Sequence, residues 1–257
     1  MKHLFIVTFV FICSFCSAQP KEGVDTNFHL YLLAGQSNMA GRGPLDSLCK
    51  ETNPQIWMLN KNNKWVPAKD PVHFDKPESA GVGPAIAFAK EMIKDNKNIR
   101  IGLIPCAWGG SSIKVWQPDS SYINHSHPYD DAIGRTKEAM KYGVLKAILW
   151  HQGESDNNQQ AVANYMDRIT VLINGFRTEF NSPNLTFIAG EIGRFGKGVP
   201  PVNNVIDEIP NRIPFTSTVS SDGLKDKGDK LHFDAASARE LGKRYATALK
   251  KMIKETK

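Results

Sequence analysis

The sequence predicts an α/β fold with a mostly parallel sheet, and three observations carry that expectation. Short apolar runs at Leu30–Ala34, Ile101–Ile104, Leu145–Trp150, Phe187–Ala189 and, more weakly, Phe215–Val219 lack strict polar alternation, as strands buried on both faces do. Helix-period segments lie between and after them, at Ala85–Lys94, Asp131–Tyr142, Ala161–Phe180 and Ala235–Ile253, and an alternation of this kind builds a helix-covered parallel sheet. The 257 residues are 41% hydrophobic and 23% charged with 13 Phe, 5 Trp and 6 Tyr, enough apolar material for a sizeable core and unlike disordered, collagenous or coiled-coil chains.

The first 18 residues stand outside this pattern. Met1-Lys2-His3 is a basic start, Leu4–Cys13 is apolar, and Ser17-Ala18 offers small residues before Gln19-Pro20. This reads as a secretory signal peptide cut after Ala18, leaving a single domain over residues 19–257 that is exported to the periplasm or the extracellular space. The apolar run is only half of the roughly 20 residues that a membrane span requires, so no stable membrane anchor is expected. Phe15 before Cys16 and Ile12 before Cys13 are too large for a lipoprotein signal. Export leaves Cys49 and Cys106, either one disulfide or two small buried hydrophobes, and both readings stay open. The net charge of +6 comes largely from scattered lysines and from Lys250-Lys251-Met252-Ile253-Lys254, a solvated helix end that suits the dipole. With no recognition spacing or basic-aromatic interleaving, nucleic acid is not an expected partner.

Four of the five apolar runs end in an unusual polar or glycine-rich segment. Leu30–Ala34 is followed by Gly35-Gln36-Ser37-Asn38, Ile101–Ile104 by Pro105-Cys106-Ala107-Trp108-Gly109-Gly110-Ser111, Leu145–Trp150 by His151-Gln152-Gly153-Glu154-Ser155-Asp156, and Phe187–Ala189 by Gly190-Glu191. Ligand sites of open α/β sheets form at the carboxyl ends of the strands, so four such segments converge on one edge. The stretches 41–80 and 111–130 read as loops, either walls of the site or surface decoration.

Ser37 follows a buried strand on what reads as a tight turn, although Met39 replaces the second Gly of a Gly-x-Ser-x-Gly elbow, and taken alone such a serine is also a helix cap. A serine nucleophile needs a base and a carboxylate to orient it. Asp229 and His232, three apart, can meet within one turn and leave the far imidazole nitrogen for Ser37. Attack on an ester also needs oxyanion donors. Backbone N–H groups at Gly109-Gly110 and the amide of Gln152 offer them, with a plain turn and a loop polar residue as the alternatives.

Gly35-Gln36-Ser37-Asn38-Met39, Trp108-Gly109-Gly110-Ser111, Trp150-His151-Gln152-Gly153-Glu154-Ser155-Asp156 and Asp229-x-x-His232 together resemble the carbohydrate esterases that include sialic-acid-specific acetylesterases and acetylxylan esterases of family six, within the SGNH hydrolase superfamily. The resemblance implies a three-layer α/β/α, flavodoxin-like sandwich. It implies Ser37 as nucleophile, His232 as general base and Asp229 as orienting carboxylate. The Ser37 N–H, Gly110 N–H and Gln152 side chain would form the oxyanion hole, with the choice between Gly109 and Gly110 left open. Gln36, Asn38 and Gly109 take supporting places, and the role of Glu154 stays open between holding the Ser37 or Gln152 segment by hydrogen bonds, the favoured supporting role, and orienting substrate. Relative to the wider superfamily, Gln36 replaces an Asp and Gln152 an Asn, as is usual for the acetylesterase branch. The implied partner is an acetylated carbohydrate, either acetylated xylan or O-acetylated sialic acid, and no metal or cofactor is expected.

Other residues carry weaker expectations. His125-x-His127 has the spacing of a metal pair without a third ligand in register and reads as loop. Trp65, Trp108 and Trp116 are candidates for a sugar-stacking face or for core packing, and Arg42 and Arg194 for pairing with an anionic sugar. A noncatalytic carbohydrate-binding module and a short-chain aryl or lipid esterase remain the competing readings.

Overall fold

The computed structural model describes residues 23–255; the expected signal peptide at residues 1–18 lies outside them. Strand β1 (Asp25–Gly35) leads through helix α1 (Ser37–Ala40) to β2 (Ile56–Leu59) and β3 (Trp65–Pro67). Helix α2 (Ala85–Ile93), β4 (Arg100–Pro105), α3 (Pro128–Ala139) and β5 (Gly143–His151) follow. After α4 (Gln159–Ala163) and α5 (Tyr165–Glu179) come β6 (Thr186–Gly190), α6 (Pro201–Asp207), α7 (Ile209–Arg212), β7 (Thr216–Val219) and α8 (Ala235–Glu255). The strands form one seven-stranded sheet in the order β3-β2-β4-β1-β5-β6-β7, parallel except for the β2–β3 pair, so the expected α/β class and mostly parallel sheet are found.

The lack of alternation in the apolar runs has a simple cause. Leu30, Leu32 and Ala34 of β1 face a core with Ile148, Trp150, Phe187, Ile169 and Phe176. Tyr31 and Leu33 face a second core with Leu103, Leu149, Phe88, Leu241 and Tyr245. Helices α3, α5 and α6 cover the first face and α2 and α8 the second, so neither face of the central strands meets water. Helices α2 and α8 approach so closely that a Cβ at Gly242 would stand 2.1 Å from the Pro84 carbonyl oxygen.

The structure corrects several sequence expectations. The stretch 41–80 is not all loop, because Trp57-Pro67 and Leu59-Trp65 pair as an antiparallel edge ribbon; at three and four residues these strands are too short to leave a periodic signal. The single helix expected over Ala161–Phe180 is two, broken at Asn164, whose φ of −106° and ψ of 1° leave the helical region. The third helix begins at Pro128, with proline in the first turn, where a missing N–H costs nothing. Phe215 lies before β7 in the left-handed region at φ 57°. Cys49 and Cys106 are both free and belong to the cores on opposite faces of the sheet, so the layer of strands separates the thiols and the disulfide reading falls.

Candidate active site

The ends of β1, β4 and β5 are laced together where the expected segments begin. Gln36 N–H donates to the His151 carbonyl at 2.8 Å, Trp108 N–H to that of Gly35 at 2.9 Å and Cys106 N–H to that of Leu33 at 2.9 Å. Gly35 permits this closeness, since a Cβ there would lie 2.1 Å from the His151 oxygen and its φ is +125°, a conformation that side chains rarely adopt. The chain then turns directly into α1, which leaves Ser37 at the first helical position with its N–H donating to none of the described residues.

A cavity of about 420 Å³ opens here, lined by Gln36, Ser37, Gly109, Gly110, Asp229 and His232 among others. Ser37 Oγ is 3.1 Å from His232 Nε2, and His232 Nδ1 is 2.7 Å from Asp229 Oδ2. The other Asp229 oxygen accepts the N–H groups of Leu231 at 2.9 Å and His232 at 2.8 Å. Desolvation alone would raise the Asp229 pKa, but those backbone donors and the His232 ring outweigh it and hold the carboxyl well below the ordinary range. It therefore stays ionised and can hold His232 in the tautomer with a proton on Nδ1. Nε2 is then a free acceptor toward the serine hydroxyl, an arrangement able to activate Ser37 for attack on a carbonyl.

The loop bearing His232 is tied to α1 by Asn38. Its amide nitrogen donates to the Leu231 carbonyl at 3.1 Å and to Glu154 Oε1 at 2.5 Å, and its oxygen accepts Phe233 N–H at 3.1 Å. Both chain neighbours of His232 are thus gripped by the residue next to Ser37. Glu154, whose role the sequence left open, sits behind this clamp with its side chain 6% exposed and 3.6 Å from the His151 ring. Burial disfavours its charge, yet the neighbouring His151 and Asn38 outweigh that and lower its pKa.

The two glycine N–H groups differ in their partners. Gly109 N–H donates to Asp75 Oδ2 at 2.8 Å, and the same oxygen accepts Arg42 Nη2 at 2.6 Å in an ion pair whose side chains are only 2% and 4% exposed. Gly109 N–H is therefore occupied, whereas Gly110 N–H donates to none of the described residues and Gly110 lines the cavity with Ser37. Tyr122 Oη donates to the Gly109 carbonyl at 3.3 Å and Ser155 Oγ to that of Gly110 at 3.0 Å, which fixes the turn from outside. Asp75 and Tyr122 were missed in the sequence: their contacts span 34 and 13 residues, and no local spacing marks them.

Gln152 departs from its expected place. It is fully buried and is not on the cavity wall. Its amide nitrogen is committed to Asp156 Oδ2 at 2.5 Å, the Ser111 carbonyl at 3.1 Å and Gln36 Oε1 at 3.2 Å, because Asp156, itself holding Ser112 and Ile113, draws the amide inward. Arg42 and Arg194 are likewise already paired, with Asp75 and with Glu191. Trp116 is buried edge-on against Trp150, and Trp65 packs on Phe28 at the far end of β1, so neither offers a stacking face at this site. Trp108 is half-buried and lines a neighbouring cavity with His73 and Arg135. His125 lies in an exposed turn.

The chain is similar to known carbohydrate esterases. The model of the carbohydrate esterase, sialic acid-specific acetylesterase family matches residues 27–251. A probable carbohydrate esterase of Arabidopsis thaliana is 33% identical over 243 residues, which cover 85% of this chain and 89% of the plant protein. The X-ray structure of that plant protein superposes with a TM-score of 0.77 at 32% identity over 88% of this chain and 99% of the other. The crystal structure of NanS shares the fold, with a TM-score of 0.73 at 18% identity, covering 90% of this chain and 99% of NanS. Human sialate O-acetylesterase is 32% identical over 79 residues, 25% of this chain and 15% of the human protein. The chain is an esterase and belongs to the sialic-acid-specific acetylesterase family of carbohydrate esterases.

Proposed function

We propose that this carbohydrate acetylesterase is an exported serine enzyme that cleaves O-acetyl groups from sugars through an acetyl-enzyme intermediate. The observation that carries the reading is the unbroken chain of contacts from Ser37 Oγ through His232 to Asp229 on the wall of one cavity. Ser37 attacks the acetyl carbonyl while His232 Nε2 takes its proton, and the positive imidazolium is balanced by the ionised Asp229. The negative oxygen of the tetrahedral intermediate is met by the N–H groups of Ser37 and Gly110, neither of which donates to a described residue. His232 returns its proton to the departing sugar hydroxyl. Water, deprotonated by the same nitrogen, then attacks the acetyl-Ser37 ester and releases acetate. Acetylated xylan and O-acetylated sialic acid are the substrate classes this reading favours, the second supported by the family match and by the partial likeness to human sialate O-acetylesterase.

The test is acetate release from both substrates and from 4-nitrophenyl acetate by the protein and by Ser37→Ala. The variant is expected to keep its unfolding midpoint and to lose ~10⁶-fold in kcat. Wild-type turnover by Ser37→Ala would overturn the serine mechanism. Cleavage of 4-nitrophenyl acetate alone would discard both sugar classes.

A further inference from the structure

We infer that the side-chain donor to the oxyanion is Gln36, not Gln152, and that Gln152 is a positioning residue that aims the Gln36 amide at the cavity. The inference rests on the serine-esterase reading above. Gln36 Oε1 accepts Gln152 Nε2 at 3.2 Å and Ser155 N–H at 3.3 Å. Two donors on the oxygen decide which way the amide is turned: the oxygen points into the protein, and the NH₂ end points away from it. Gln36 lines the same cavity as Ser37 and Gly110, and its Nε2 donates to no described residue, although the residue is only 2% exposed.

Gln152 has nothing left to give. Its amide carries two hydrogens, and three buried oxygens, on Asp156, Ser111 and Gln36, already compete for them. Turning the amide over would set its oxygen against the Asp156 carboxylate and two further acceptors, so its orientation is fixed by electrostatics. The result is a relay of aim: Asp156 holds Gln152, Gln152 holds the Gln36 oxygen, and the Gln36 nitrogen is left without a described partner on a residue that lines the cavity with Ser37 and Gly110. A neutral donor held in place before the reaction stabilises the charge that develops only in the transition state, which is what raises kcat.

Gln36→Ala tests this, with Gln36→Glu as a near-isosteric partner that keeps an oxygen for Gln152 and removes the donor. On 4-nitrophenyl acetate both are expected to lose ~10²–10³-fold in kcat with KM changed less than about threefold, unfolding midpoints near wild type, and Gln36→Glu partly recovering at lower pH as its carboxyl gains a proton. Gln152→Ala in the Gln36→Ala background is expected to add little, because Gln152 acts through Gln36. Wild-type kcat in Gln36→Ala while Ser37→Ala is inactive would overturn the inference and leave the serine mechanism standing. A loss of ~10²–10³ from Gln152→Ala in both backgrounds would make Gln152 the donor and overturn it as well. Should Gln152→Ala fail to fold, the two Gln36 variants decide alone, and activity surviving in Ser37→Ala would instead mark failure of the mechanism on which the inference rests.

Discussion

The turn at residues 35–40 and the loop at residues 226–233 meet across three hydrogen bonds, yet they are held by different forces. The turn is buried throughout, closed between β1 and β5 with no room for a side chain at Gly35. The loop is mostly exposed and keeps its shape by hydrogen bonds. Asp226 Oδ1 accepts Gly228 and Lys230 N–H, Lys227 N–H donates to the His232 carbonyl, and Asp234 N–H to that of Lys225. Packing sets where the nucleophile stands, and a polar lattice sets where the base stands. Asn38 joins the two, since it belongs to the packed turn and grips the polar loop.

This contrast can be broken from the packed side first. Gly35→Ala forces a Cβ against the His151 oxygen and a side chain into φ +125°, overpacking and backbone strain of about 1–3 kcal/mol each. Both stability and turnover are expected to fall, and a chemical denaturation curve that matches wild type would refute the packing account. On the polar side the effect falls on rate rather than on folding. Asp229→Asn removes the charge that orients His232 and is expected to lower kcat by up to ~10⁴-fold, with only a small change in midpoint at neutral pH. Because the native Asp229 pKa is depressed, its ionised form adds stability that is complete above about pH 4, where an unfolded aspartate ionises, and that disappears as pH falls through the native value. The stability gap between Asp229→Asn and wild type should therefore close below about pH 4, and a gap that widens in acid would contradict the assignment. The smallest change is expected at the junction. Asn38→Ala leaves the His232 loop attached by its own bonds but frees it from α1, for a loss of at most ~10²-fold in kcat and about 1–3 kcal/mol of stability. A kcat and midpoint both equal to wild type would show that the loop needs no clamp.

The legible parts of the molecule are those with a local cause. Leu30–Ala34 and Leu145–Trp150 announce strands buried on both faces because each residue in them is apolar, whichever face it meets. Asp229 and His232 are three residues apart, so one turn suffices to join them, and their pairing is readable without a structure. The edge strands at Trp57 and Trp65 were not legible, since so few residues cannot show a period and their strand character comes from pairing with each other and with β4. The break at Asn164 was hidden for the same reason: the apolar spacing runs on through it, and only the docking of α5 decides the bend.

By its own residue pattern the chain determined its layered α/β class, the meeting of its polar segments at one edge of the sheet, and the choice of Ser37, Asp229 and His232 as the residues able to work together. Only the tertiary structure decided that Gly110 rather than Gly109 has a free N–H, that Gln152 is turned inward, and that Asn38 fastens the histidine loop. These choices turn on Asp75, Asp156 and Leu231, partners brought close by the packing of separate elements. A residue's type states which hydrogen bonds it can make, while the fold decides which of them are already taken.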